Sequence, residues 1–150
     1  LKEDGADLIV GVFHWGNELE TVPDSNELYL ARLAIDNGVD LIVGHHPHVL
    51  QGIGEYKGKT IAFSLGNFCF GGNSNPTEYD TMIFQMKFTF DKHKNIIDSE
   101  QNVIPCSVSS SYGYNDYRPT PLTGAEADRV LQLIQDRSDA ITDAEAMAGY

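Results

Sequence analysis

The sequence predicts an α/β fold, and three features of its 150 residues support that prediction. Two short apolar segments, residues 7–13 and 39–43, flank an amphipathic segment that begins at a helix-capping sequence. Strand, helix and strand in this order form a βαβ unit, whose crossover is right-handed in nearly all known cases. Strict alternation over residues 79–90 and a last amphipathic segment from residue 123 then predict further sheet and a second helix.

The first helix of this unit is bounded by recognisable capping residues. Asp24 is placed to cap its N-terminus, and Glu27 three residues later completes a capping box. The helix is expected to run to about Asn37 and to stop at Gly38. The nearly continuous apolar run over residues 7–13 is typical of a strand covered on both faces. The helix is expected to carry Leu30, Leu33 and Ala34 on one face, with Leu28, Ala31 and Ile35 beside them.

The pattern of the remaining residues predicts further strands followed by a helix. Residues 49–65 predict a hairpin that turns at residues 57–59, and the alternating segment 79–90 turns into a strand over residues 96–104. Residues 107–122, rich in Ser, Tyr, Asn and Pro, predict an irregular surface crossing. The final helix is expected to bury a stripe made of Ala127, Val130, Leu131 and Ile134.

Composition narrows the function. The formal net charge is −12 and the ten basic residues are scattered, which excludes a protein that tracks a nucleic-acid backbone. No apolar run reaches the roughly 20 residues that a membrane-spanning helix needs. Cys69 and Cys106 lie in apolar or small-residue settings and are expected to be two buried thiols. Leu1 to Gly5 is typical of a helix end, so the chain is expected to begin inside a larger unit that an upstream segment completes.

The strongest chemical signal is the histidine cluster His45-His46-Pro47-His48, directly after the second apolar strand. In open α/β sheets, ligands collect where strands deliver loops at their carboxyl ends. Imidazole is a ligand suited to Zn, Fe, Mn or Ni. Pro47 restricts His46 to extended backbone, and an extended His-x-His places both rings on the same side. The cluster therefore predicts a metal site, the alternative being solvated loop histidines.

A second group of residues follows the first strand. His14 lies just past that strand, and loops that leave adjacent parallel strands about 4.8 Å apart can converge on one site. A two-metal hydrolytic centre also needs oxygen ligands. Glu18 is the only acid of this chain expected near the histidines, because Asp7 and Asp40 begin strands at the opposite end. The sequence thus predicts the nitrogen-rich half of such a centre.

Three motifs together resemble the CapA family of bacterial poly-γ-glutamate capsule synthesis, whose domain is similar to calcineurin-like metallophosphoesterases. They are His14-Trp15-Gly16-Asn17-Glu18, Gly44-His45-His46-Pro47-His48-Val49 and Ser64-Leu65-Gly66-Asn67-Phe68. The resemblance implies part of a four-layer α/β/β/α sandwich whose N-terminal half lies upstream. Residues 1–138 would be the C-terminal portion of that domain, and residues 139–150 a tail.

The resemblance also implies a site with two divalent ions, of Mn, Fe or Zn. Carried onto this chain, His14 and His46 would share one ion and His48 would hold the other. His45 is an insertion relative to the superfamily pattern, which leaves open whether His45 or His46 is the ligand. Glu18 would contact substrate or a metal-bound water, the alternative being a surface carboxylate. Asn67 would line the pocket through its amide, the alternative being a turn residue, and His45, if not a ligand, would lie beside the substrate or the ligands. Trp15 is expected to pack in the core, and His93 to be a solvated hairpin residue.

Two functions follow as expectations from the resemblance. The first is capsule biosynthesis with a metal-dependent phosphoesterase-type hydrolase site, whose catalytic acid and bridging carboxylate lie upstream of Leu1. The second is a non-catalytic part of polymer assembly or export, or a degenerate metal-binding module. The implied partners are the missing half of the domain, an anionic polymer or phosphoester, and other membrane proteins of capsule synthesis. The implied location is outside the cytoplasm, with anchoring by a part of the protein not in this chain.

Overall fold

The computed structural model describes residues 1–148, and the side chains of residues 1–141. Over these described residues the fold is mixed α/β, with two helices and two sheets, as the sequence predicts. Parallel pairing joins β1 to β2 and β2 to β4, whereas β3 and β4 are antiparallel. The elements in chain order are β1 (Val10–His14), α1 (Ser25–Asp36), β2 (Leu41–His45), β3 (Ile53–Tyr56), β4 (Lys59–Ala62), β5 (Asp80–Phe90), β6 (Ile96–Ser107), β7 (Thr120–Pro121) and α2 (Gly124–Ala148).

The βαβ unit forms as predicted. Asp24 accepts hydrogen bonds from the backbone N–H groups of Asn26 and Glu27, at 2.8 and 2.9 Å, and the Glu27 carboxylate accepts one from the N–H of Asp24 at 2.9 Å. This reciprocal capping box satisfies donors that the first turn of a helix leaves free. Gly38 takes a φ of 97°, the left-handed conformation that ends helices.

One face of the four-stranded sheet carries the main core. Helix α1 lies against this face through Leu28, Ala31 and Ile35, which are buried with residues of β2 and β4. The predicted facing of α1 was wrong in part, because Leu30 and Leu33 are 38% and 44% exposed. The face that meets the sheet is therefore the neighbouring one, and Ala34 packs only at its margin.

The prediction that the first strand is covered on both faces was also wrong. β1 is an edge strand of the four-stranded sheet, and Val10 and Val12 are 43% and 70% exposed. Phe13, on the opposite face, packs against the core. His14 follows the alternation of Val10 and Val12 and is exposed with them. In the described part of the chain, β1 is thus covered on the helix side alone.

The hairpin and the second sheet follow the predicted order. Lys57 and Gly58 both have positive φ, 50° and 71°, which is the two-residue turn that suits the twist of paired strands. β5 and β6 pair antiparallel along nearly their whole length, and β7 adds a short third strand. The hydrophobic face of β5 packs at Met82, with Leu50 and two residues of α2.

Helix α2 connects the two sheets. Val130 and Ile134 pack with Leu50 and Met82, whereas Ile141 belongs to the core under the four-stranded sheet. The predicted stripe was wrong at Leu131, which is 41% exposed. The helix continues without interruption past residue 138, where the tail was expected to begin. No helix in the described residues is both long and apolar enough to cross a membrane.

The two cysteines differ from each other. Both are free thiols, but only Cys106 is buried as expected. Cys69 is exposed, because it lies in the loop that follows Asn67 rather than in a strand.

A buried carboxyl group lies beneath the loop that follows β1. Glu27 is 1% exposed, and one of its oxygens, Oε1, has no hydrogen-bond partner among the described residues. The side-chain oxygen of Gln51, next to it, is likewise buried without a partner. Burial raises the pKa of Glu27 above its ordinary 4.5, while the hydrogen bond from the Asp24 N–H lowers it to a smaller extent.

This arrangement predicts that Glu27→Gln stabilises the fold at neutral pH. An amide keeps the oxygen that accepts the Asp24 N–H, and it offers N–H donors to the unpaired oxygen of Gln51. Relief of two buried unpaired oxygens is worth about 1 kcal/mol in the free energy of unfolding. Chemical denaturation at pH 7 measures this gain, and Glu27→Ala, which loses the capping bond, is expected to be less stable than the native chain.

The gain should also depend on pH. Below its unfolded pKa, the carboxyl is protonated in both the folded and the unfolded protein and costs no stability. As the pH rises from there through the raised folded pKa, burying this group lowers the free energy of unfolding by an increasing amount. The difference between Glu27→Gln and the native chain should therefore shrink as the pH falls toward about 4.5. A pH-independent difference would contradict the assignment of the effect to this carboxyl.

Candidate metal centre

The candidate site lies where two parallel strands end side by side. His14 is the last residue of β1 and His45 the last residue of β2, and the two are directly paired in the register of the sheet. The loops that follow the two strands therefore start side by side, at the carboxyl ends of the strands. This is the convergence that the sequence predicts for His14 and the histidine cluster.

The backbone of the cluster differs from the prediction. His46 and His48 have φ values of 109° and 61°, so neither is in the extended conformation expected for a residue near Pro47. The loops themselves explain the difference: Trp15 N–H donates to the carbonyl of His45 at 3.0 Å, and Leu19 N–H donates to that of Pro47 at 2.8 Å. These bonds hold the segment in a tight turn with two left-handed residues, a costly conformation that clusters at functional sites.

The turn nevertheless brings three imidazoles together. The ring centroids of His14 and His46 are 4.5 Å apart, and those of His46 and His48 are 6.1 Å apart. Glu18 approaches the same point: one ligand atom from each of Glu18, His46 and His48 lies within 4.8 Å of the other two. His14 stands next to this group, beside His46.

His45 faces a different environment. It lines a separate cleft with Leu65, Phe68 and Phe84, at the side of the second sheet. The residue that approaches His48 and Glu18 is His46. The arrangement therefore favours His46 over His45 as the first ligand of the cluster.

Asn67 fixes the orientation of the His48 ring. Its side-chain oxygen lies 2.7 Å from His48 Nδ1, and its side-chain N–H₂ donates to the His48 carbonyl at 3.0 Å. Since the amide nitrogen is used by the carbonyl, the amide oxygen is the acceptor and His48 Nδ1 must carry the proton. His48 Nε2 is then the nitrogen with a free lone pair, as required of a metal ligand whose other ring nitrogen donates a hydrogen bond.

Trp15 and Gly44 form the support beneath the histidines. Trp15 is buried as predicted, stacks on Phe13 at 4.7 Å, and donates its indole N–H to the carbonyl of Phe63 at 2.9 Å. A Cβ atom at Gly44 would lie 2.0 Å from that carbonyl oxygen and 2.5 Å from the indole nitrogen. Only glycine fits at this position, because the indole and the next strand both lie against its backbone.

A second glycine, Gly16, allows the loop after β1 to lie directly on the buried carboxyl group of Glu27. Gly16 has a φ of 73°, and a Cβ atom there would lie 2.6 Å from the carboxylate of Glu27. The loop that carries Glu18 is thus packed directly on the first turn of α1.

A cleft of about 250 Å³ opens beside the group. Glu18, His48, Asn67, Phe70 and Thr77 are among the residues that line it. The Phe70 ring is 5.1 Å from the His48 ring. Sequence reasoning did not identify Phe70, although an aromatic residue three positions after Asn67 in a polar loop was the available signal.

The donor set fits a divalent transition metal. Imidazole nitrogens and carboxylate oxygens are ligands of Zn, Fe and Mn, and the His48 tautomer set by Asn67 is the one such an ion requires. The other half of a two-metal centre needs further oxygen ligands, and within the described residues Glu18 is the one acid grouped with the histidines.

Comparison with known proteins matches this region. The family model described as "Bacterial capsule synthesis protein PGA_cap" matches residues 1–72, which include His14, Glu18, the histidine cluster and Asn67. The chain is 37% identical over 139 residues to the capsule biosynthesis protein CapA of Bacillus anthracis, covering 91% of this chain and 31% of that protein. It is 51% identical over 65 residues to the PGA biosynthesis protein CapA of Bacillus subtilis, covering 43% of this chain and 17% of that protein. The chain thus spans about a third or less of the length of these relatives.

The Asn67–His48 pair leads to a prediction about metal affinity. Asn67→Ala should weaken zinc binding about 10- to 100-fold, the usual effect of losing the group that orients a histidine ligand. Titration calorimetry with Zn²⁺ measures the change. Asn67→Asp keeps an acceptor for His48 Nδ1 and should retain most of the affinity, so equal losses in both variants would contradict this role.

Proposed function

Because this chain belongs to the CapA family of bacterial capsule synthesis proteins, we propose that it takes part in poly-γ-glutamate capsule synthesis and supplies the histidine side of a metal site. The observation that supports the metal site most directly is the grouping of His46, His48 and Glu18. The pathway is supported by the two relatives, whose names place them in capsule and PGA biosynthesis.

The proposed ligands are three histidines from two adjacent strand ends. His14 and His46, whose rings are 4.5 Å apart, would hold one divalent ion, and His48 would hold a second. Such a pair of ions, when bound, lowers the pKa of a water toward neutrality and stabilises negative charge on a phosphoester. The remaining oxygen ligands, including a bridging carboxylate, would come from the rest of the domain.

The residues of this chain have roles of their own in that proposal. Asn67 holds a proton on His48 Nδ1 and so keeps Nε2 available. Pro47 is fully buried between the two histidines, and its carbonyl accepts a hydrogen bond from the Leu19 N–H. These contacts keep the two rings from turning outward to solvent. Asn67 and Thr77, which line the cleft beside His48, offer neutral polar groups that would hydrogen-bond a substrate there.

The proposed location rests on the names of the relatives alone. Capsule synthesis in the named relatives points to that location, and we propose that this chain works outside the cytoplasm with the missing part of its domain and with membrane proteins of the same process. The net charge of −12 repels an anionic polymer, so contact with poly-γ-glutamate would be made through the ions or through basic surface on those partners.

The experiment tests metal and turnover together in the full-length protein. We expect stoichiometric bound metal by elemental analysis and hydrolysis of a generic phosphodiester, both reduced at least about tenfold by His46→Ala or His48→Ala. His93→Ala, an exposed hairpin histidine far along the chain, is the matched control and should change neither.

The alternative roles give different results. Tight metal without turnover on any ester would favour a non-catalytic part in polymer assembly or export over the hydrolase. Substoichiometric metal that is insensitive to both histidine substitutions would overturn the metal site itself.

A further inference from the structure

We propose that a cationic cleft, at the end of the sheet opposite the histidines, binds the carboxylate groups of an anionic polymer. The cleft has a volume of about 450 Å³, and Lys2, Lys59 and Lys94 line it. The inference rests on the proposed function for the identity of the polymer, poly-γ-glutamate. It goes beyond that function by assigning a polymer-binding surface to this chain, in addition to the ions and the partner proteins.

The cleft is separate from the candidate metal centre. Asp40 lies in the cleft and directly precedes β2, whereas His45 ends the same strand. Five residues of extended chain cover roughly 16 Å, so the cleft and the histidines lie at opposite ends of the sheet. Lys59 is the first residue of β4, which runs parallel to β2 and therefore begins at the same end. The turn between β5 and β6 brings Lys94 to the cleft from the second sheet.

A buried carboxylate fixes the position of two of the lysines. One oxygen of Asp40, Oδ2, accepts hydrogen bonds from the Lys2 ammonium at 2.7 Å and from the Ile9 N–H at 3.0 Å. The other oxygen accepts one from Lys59 at 3.0 Å. Burial by itself raises the pKa of Asp40, but these hydrogen bonds together lower it below the ordinary 3.8. Asp40 is therefore ionised at neutral pH, and its single negative charge is shared between two ammonium groups.

The lysines keep positive charge and hydrogen-bond donors for a ligand. Lys94 pairs with Asp7 at 3.0 Å, so two carboxylates face three ammonium groups in the cleft. An ammonium group has three N–H donors. Within the described residues, the side chains of Lys59 and Lys94 donate one hydrogen bond each. These side chains are 31% and 70% exposed, so their remaining donors are accessible to the carboxylates of a ligand.

The excess of positive charge is local. The formal net charge of the chain is −12, and Lys57 and Lys87, elsewhere on the surface, each pair with one carboxylate. Salt screens interactions between exposed charges beyond about 8 Å at physiological ionic strength. Distant acidic residues therefore contribute little to the binding of a carboxylate that is already in contact with the cleft. The local charge attracts an anionic group that the chain as a whole repels.

A polymer suits this cleft better than a single small anion. One ammonium–carboxylate pair at an exposed site contributes little affinity. Several carboxylates on one polymer can contact several lysines at once, and after the first contact the others form at a raised effective concentration. An ammonium group is also a compact charge with rotatable donors, unlike the planar guanidinium of arginine. It can therefore bind carboxylates that a flexible polymer presents in varying orientations.

The test measures the affinity of the full-length protein for poly-γ-glutamate of defined length by titration calorimetry, with no metal added. We expect Lys59→Gln combined with Lys94→Gln to weaken binding at least about tenfold, because two of several linked contacts are lost. Lys57→Gln combined with Lys87→Gln removes the same charge elsewhere, so it is the matched control and should leave the affinity unchanged. Lys59→Arg combined with Lys94→Arg keeps both charges and should retain most of the affinity.

Two trends check that the contact is electrostatic and multivalent. The affinity of the native protein should rise with the length of the polymer and fall as the salt concentration rises. Both trends should be weaker in the variant that carries glutamine at positions 59 and 94. Circular dichroism checks folding, and if Lys59→Gln disturbs it, Lys94→Gln alone, at a largely exposed side chain, should still weaken binding.

Several outcomes would overturn the inference. Native affinity in the variant with glutamine at positions 59 and 94 would do so, and so would equal losses in the two double glutamine variants, since net charge would then explain the effect. Tighter binding of inorganic polyphosphate than of poly-γ-glutamate with the same number of charges would overturn the assignment to carboxylates.

The proposed function is tested separately from this cleft. The lysine variants should keep the bound metal and the phosphodiester turnover of the native protein. Polymer binding that is lost in His46→Ala but not in the lysine variants would overturn the inference and leave the proposed metal site standing. Polymer binding that depends on the lysines, in a protein whose metal content is insensitive to His46→Ala and His48→Ala, would support the inference and overturn the metal site.

Discussion

The pairing of β1 with β2 is the constraint on which the candidate site depends. Since His14 and His45 are register partners, the loops that follow them leave the sheet at the same point. Two backbone hydrogen bonds then continue the pairing beyond the strands, from Trp15 to the His45 carbonyl and from Leu19 to the Pro47 carbonyl. The loops behave as an extension of the sheet in which the histidines have little freedom to separate.

Packing below the loops makes this arrangement rigid. The indole of Trp15 lies where a Cβ atom at position 44 would be, and its N–H donates to the carbonyl of Phe63. On the other side, α2 lies so close to Gly52 that a Cβ atom there would meet its backbone at 2.5 Å, and Ser138 of α2 accepts a hydrogen bond from Ile53 N–H at 2.9 Å. The histidine segment is thus held at both ends by buried contacts. If this group binds an ion as proposed, its preorganisation would reduce the conformational entropy lost on binding.

The sequence was sufficient for the elements that carry local signals. The capping box at Asp24 and Glu27, the stop at Gly38 and the turn at Gly58 each determine a boundary through chemistry within a few residues, and each is confirmed. Exposure was harder to predict, because a run such as residues 7–13 is equally apolar in an edge strand and in a central one. Val12 is 70% exposed because no described residue covers its face of β1, and tertiary coverage of that kind is not encoded in a local pattern.

The same limit explains what was and was not foreseen at the site. Residue type and position after a strand were enough to single out His14 and the histidine cluster as candidates, but they left open whether His45 or His46 belongs to the site. The general preference of a residue before proline predicted the wrong backbone at His46. Hydrogen bonds from Trp15 and Leu19, some 30 positions earlier in the sequence, hold the segment in a turn that this local preference does not foresee. The bonds from Asn67 that orient His48 likewise join residues 19 positions apart. Local sequence thus selects the candidate residues. Contacts between loops determine their geometry, and with it the grouping of His46, rather than His45, with His48 and Glu18.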